Sequence, residues 1–98
     1  MGQLFFDQYS LLHFATGVIA YFWGFSFLVS FVAHMIFEYA ENTRIGIRFI
    51  NENLAGIWPG GKPRADSRLN IFGDNLFFGV GWIAARVLDL VGVAREWY

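Results

Sequence analysis

Cysteine is absent from the chain, which excludes disulfides, thiolate metal sites and a cysteine nucleophile. Charge is scarce: 15% of the 98 residues are Asp, Glu, Lys or Arg, against about 25% in an ordinary soluble domain. The net charge is −1 with no basic block, so nucleic acid is not an expected partner. The N-terminal run Met-Gly-Gln-Leu-Phe-Phe-Asp lacks the basic region and small-residue cleavage site of a secretory signal. Phe6 stands where a myristoylation signal carries Ser or Thr. Proline is nearly absent too. The one Pro/Gly cluster, Leu54–Arg64, reads as a loop.

Apolar residues fill the space that charge leaves, at 56% of the chain with a mean hydropathy of +0.43. From Leu11 to Phe37 there are 27 residues without Lys, Arg, Asp or Glu, where a helical membrane span needs about 20. The expected fold is therefore all-α: a single integral membrane domain over residues 1–98. A straight 27-residue helix would reach about 40 Å, beyond a hydrocarbon core of about 30 Å. Trp23-Gly24-Phe25-Ser26 offers a break, with Gly for the turn and Ser as an N-cap. The reading is an up-down-up bundle of three transmembrane helices. Helix 1 is expected at about 7–23, helix 2 at about 26–53, a loop at about 54–65 and helix 3 at about 66–93. One unbroken helix across residues 11–37, giving two spans, is the alternative.

Three polar stripes interrupt these apolar segments. Asp7, Ser10 and His13 lead helix 1 and continue into Gly17 along one face. His34, Glu38, Glu41 and Asn42 cover about a third of the circumference of helix 2. Asp66, Asn70 and Asp74, spaced i, i+4 and i+8, fall within about 80° on helix 3. In the up-down-up topology all three stripes meet at one end, facing protein rather than lipid. Arg44, Arg48, Lys62, Arg64 and Arg68 flank that end, against Arg86 and Arg95 at the other. The positive-inside rule then puts the N-terminus and central loop on the cytoplasmic or interior side, with the C-terminus opposite.

Two chemistries fit such a cluster. His13 or His34 could serve as a base or nucleophile, with Glu38, Glu41, Asp66 and Asp74 as partners or as ligands of a divalent cation. A lipid headgroup is the natural substrate at that depth. Alternatively, Asp7, Ser10, His13, Glu38, Glu41, Asn42, Asp66, Asn70 and Asp74 form a structural network, the carboxylates pairing with Arg44, Arg48 and Arg68. No metal or catalytic motif of recognised spacing is present, and no organic cofactor is expected. Twelve Phe and four Trp exceed what three helices can bury among themselves. That favours lipid contact and packing against other membrane or capsid-type subunits. The leading expectation is a structural or assembly subunit of a membrane complex or of a virion inner membrane.

At these same residues the chain resembles the VanZ-like membrane proteins and related bacterial membrane families. The marks are Asp7-x-x-Ser10-x-x-His13, then Glu38-x-x-Glu41-Asn42, then Asp66-Ser67-x-x-Asn70-x-x-Gly73-Asp74. The link between the first two helices is much shorter here than in the family pattern. The resemblance implies a helical membrane protein, linked in some members to glycopeptide resistance. It also implies an alternative function for the cluster, as a membrane enzyme or a lipid-headgroup or ion-binding site.

Overall fold

The computed structural model describes residues 3–54 and 65–98. Among them are four helices and no strand: α1 Gln8–Phe22, α2 Phe27–Glu41, α3 Arg44–Asn53 and α4 Arg68–Ala94. Each starts at a side-chain cap, as helix N-termini with unpaired amides require. Asp7 caps α1 in a reciprocal box with Ser10, while Ser26, Thr43 and Ser67 cap α2, α3 and α4.

The break at Trp23–Ser26 is present, so Leu11–Phe37 is a hairpin of two helices and not one unbroken helix. Gly24 sits at φ +88°, in left-handed space that an L side chain avoids. The Trp82 indole N–H donates to the Phe25 carbonyl at 3.0 Å and ties this turn to α4.

Helix 2 departs from expectation. The segment 26–53 is divided at Asn42–Thr43 into α2 and α3. Asn42 folds its amide back onto the Glu38 carbonyl (2.8 Å), and the Thr43 hydroxyl accepts from the Gly46 amide (3.0 Å). A C-terminal cap and an N-terminal cap thus stand side by side. The expected loop at 54–65 lies almost wholly outside the described residues. Helix 3 begins after Ser67, so Asp66 precedes the helix instead of sharing its stripe with Asn70 and Asp74.

α1 and α4 run parallel and are the most extensively packed pair, with α2 running antiparallel and lying mainly against α4. Pairings rise in step along the two helices: Asp7 with Asn70, His13 with Asp74, Tyr21 with Asp89. The close approach rests on glycine. A Cβ on Gly17 would collide with the Phe78 carbonyl, and one on Gly81 with the Phe14 carbonyl. Small residues that let two backbones touch are a recurring means of holding apolar helices together. At the far end Asp89 accepts hydrogen bonds from both Tyr21 (2.6 Å) and Tyr98. The bond to Asp89 raises the pKa of the Tyr98 phenol above its ordinary value.

The interior is polar. Among the described residues the largest fully buried side chains are Glu38, Asn70, Asp74 and Ser10, whereas the buried hydrophobic side chains are Ile50, Phe78, Trp82 and Ala85. Large apolar side chains instead point outward along α1, α2 and α4, among them Leu11, Ile19, Leu28, Ile36, Leu76 and Leu88. Among the described residues α4 is the one helix long and apolar enough to cross a membrane. α1 and α2, at 15 residues each, are shorter.

Candidate functional site: a buried histidine–carboxylate cluster

His13 lies at the centre. It projects from the face of α1 that also buries Ser10 and Gly17, so the stripe read from the sequence is the face that meets α4. Its Nε2 lies 3.3 Å from Glu38 Oε1 on α2 and 3.3 Å from Asp74 Oδ2 on α4. Its Nδ1 lies 2.8 Å from His34 Nε2. One imidazole therefore joins all three long helices.

Asn75, at the far end of this chain of contacts, sets the direction of its hydrogen bonds. The Asn75 amide nitrogen donates to the Ile71 carbonyl (3.1 Å), which turns Asn75 Oδ1 toward His34 Nδ1 at 2.9 Å. His34 must then donate from Nδ1. With His34 neutral, its Nε2 accepts, so His13 donates from Nδ1. That leaves His13 Nε2 presenting a lone pair to two carboxylate oxygens. Three electron-rich atoms facing one another repel; a cation at that point, either a proton or a metal ion, makes every contact attractive.

The surrounding polar residues fall into two connected groups. Asn42 donates to Glu38 Oε2 (3.1 Å) and accepts from the Asp66 backbone amide (2.8 Å), carrying the cluster to the start of α4. One ligand atom each from Glu38, Asp66 and Asp74 lie within 4.8 Å of one another, as do those from His13, His34 and Glu38. These are groups that could hold a metal ion. Asp7, Ser10 and Asn70 make a separate knot: Asn70 donates to Asp7 Oδ2 (3.1 Å) and to the Leu4 carbonyl (2.6 Å). Glu41 is buried at the end of α2.

The expected partnering with Arg44, Arg48 and Arg68 is not what the described residues show. Arg48 pairs with Glu52 at 3.9 Å on an exposed face, and among the described residues the side chain that meets Glu38 and Asp74 is His13. One member of the cluster, Asn75, and one buried hydroxyl on α2, Ser30, do not stand out in the sequence stripes. Asn75 interrupts the apolar run 71–85 but lies off the Asp66–Asn70–Asp74 spacing, and an amide inside such a run is itself a signal. Ser30, buried on α2, has a hydroxyl without a hydrogen-bond partner among the described residues.

α1 and α2 barely touch beyond their turn. Between them lies an apolar groove of about 340 Å³, with His13 and His34 in its lining. The His13–His34 bond and the His13–Glu38 contact are thus the main ties between these two helices.

No protein-family model matches the chain, and neither a curated protein nor a solved structure matches it.

Proposed function

We propose that the chain is a structural subunit of a membrane-containing assembly, a three-span bundle organised from within by the His13–Glu38–Asp74 cluster. The observation that carries this reading is the inverted burial: the fully enclosed large side chains are polar, while the outward faces of α1, α2 and α4 are apolar. Water would penalise that arrangement, whereas lipid favours it, because hydrocarbon cannot satisfy polar groups and does not repel apolar ones. At about 22 Å, α1 and α2 are short for a core of about 30 Å, a mismatch met by local thinning and interfacial anchoring. Trp23 and Phe25 at the hairpin tip are suited to that anchoring, as are Phe5 and Phe6 at the other end. The outward aromatic surface is also what neighbouring subunits would pack against.

In this topology the start of α1, the end of α2 and the start of α4 share the cytoplasmic or interior side, with five basic residues against two. The absence of cysteine makes the test simple. In sealed vesicles, single variants Trp23→Cys and Trp97→Cys are expected to react with an impermeant maleimide from outside, and Glu52→Cys only after permeabilisation. Equal labelling of all three before permeabilisation would contradict the three-span reading.

The VanZ-like resemblance supports a second reading, a ligand site built from the same residues. It is favoured by Asp74, whose Oδ1 is buried without a hydrogen-bond partner among the described residues.

A further inference from the structure

We propose that His13, Glu38, Asp66 and Asp74 hold one divalent cation of the borderline class, with Zn²⁺ preferred over Mg²⁺ and Ca²⁺. The inference deepens the ligand-site reading of the cluster by naming the ligand, and it takes the folded bundle as given.

Four observations support it. With His34 neutral, the hydrogen-bond chain Ile71–Asn75–His34–His13 assigns the N–H to His13 Nδ1 and turns Nε2 toward the two carboxylates. Metal-bound histidines are held in the same manner, donating the other ring N–H to a fixed acceptor. The distances from Nε2 to Glu38 Oε1 and Asp74 Oδ2 are both 3.3 Å. A tetrahedron with metal–ligand bonds of 2.0–2.1 Å has edges of about 3.3 Å. Asp66 brings a further carboxylate, with a ligand atom within 4.8 Å of those of Glu38 and Asp74, and is the fourth donor of the proposed set. Independently of the acidic grouping, Asp74 is 2% exposed and carries a buried carboxylate oxygen with no hydrogen-bond partner among the described residues.

Donor chemistry selects the ion. Mg²⁺ and Ca²⁺ take oxygen ligands in six- to eight-fold shells. An imidazole nitrogen with carboxylates in a four-fold arrangement suits Zn²⁺. His34 is excluded as a ligand because its Nε2 is occupied by His13 Nδ1. Asn75 and His34 are positioning residues that aim the His13 ring.

The test uses the full chain in detergent, stripped with chelator and titrated with Zn²⁺, Mg²⁺ and Co²⁺. One equivalent of Zn²⁺ is expected to bind and raise the melting temperature. Co²⁺ should give the intense visible bands of a tetrahedral site, and excess Mg²⁺ should not displace it. Asn75→Ala should weaken Zn²⁺ binding about 10- to 100-fold, and Asp74→Asn by at least as much, with helicity retained. A folded wild-type chain that shows neither a Zn²⁺-dependent melting shift nor tetrahedral Co²⁺ bands would overturn the proposal. Undiminished Zn²⁺ binding in Asp74→Asn would do the same. If Asp74→Asn fails to fold, the wild-type Co²⁺ spectrum decides. A chain that stays folded and membrane-inserted without binding metal would defeat this inference while leaving the organiser reading intact.

Discussion

Glu38→Leu is expected to destabilise the bundle by about 3–5 kcal/mol, the cost of removing one partner from a buried charged pair. Glu38 is fully buried, its Oε1 lies 3.3 Å from His13 Nε2, and its Oε2 accepts from Asn42. Leucine fills much of the volume but strands both contacts. Because the groove leaves α1 and α2 little other packing, α2 should separate from α1 first, while its contacts with α4 persist longer. Glu38→Gln is expected to behave differently. Its amide keeps the size and hydrogen-bonding capacity, so the loss should stay near 1 kcal/mol. Cation binding, by contrast, should fall with Gln as with Leu, because a neutral amide is a poor ligand. Thermal denaturation followed by circular dichroism, with metal removed, separates the two effects. Equal tolerance of Leu and Gln would show that the cluster does not organise the helices.

Gly17→Leu should be similarly severe and should act on a different interface. Here the obstacle is backbone: a Cβ at Gly17 meets the Phe78 carbonyl and lies 2.8 Å from the Trp82 amide. A flexible side chain could move aside, but a helix backbone held in its own hydrogen bonds moves only as a unit. Overpacking a core usually costs about 1–3 kcal/mol, and separating α1 from α4 along their length should exceed that range. The Tyr21–Asp89 and His13–Asp74 contacts lie on either side of Gly17, so both should be lost together. The fluorescence of Trp82, which stacks edge-on against Tyr21 at 5.3 Å, offers a local readout. An unchanged unfolding curve for Gly17→Leu would mean that the two helices do not approach as closely as this structure places them.

Much of this arrangement can be read in the residues, and the parts that cannot have identifiable causes. The α1 face was legible because Ser10, His13 and Gly17 recur at helical spacing inside an apolar run, and an apolar run makes each polar residue conspicuous. The Gly24 turn was legible from helix length and from a residue that tolerates positive φ. The break at Asn42–Thr43 was hidden, because Arg44–Asn53 continues a helical pattern and one capping threonine is a weak stop signal. The convergence on His13 followed from topology, but its partners did not. Exposed arginines near the membrane end looked like natural counter-ions, yet they reach solvent more readily than the buried carboxylates. The hydrogen-bond direction that sets the His13 tautomer depends on Asn75 and the Ile71 carbonyl. No sequence spacing records which way an amide turns.

Inverted burial is the feature on which the membrane reading depends, and collision accessibility of spin labels tests it most directly. Leu11 on α1, Ile36 on α2 and Leu88 on α4 are 63%, 64% and 59% exposed on the outward faces. Labels at single cysteines placed there, in chains reconstituted into liposomes, should collide readily with oxygen, which partitions into lipid, and rarely with a water-soluble nickel chelate. Higher collision rates with the nickel chelate than with oxygen at these three positions would place the apolar faces in water and contradict the three-span bundle.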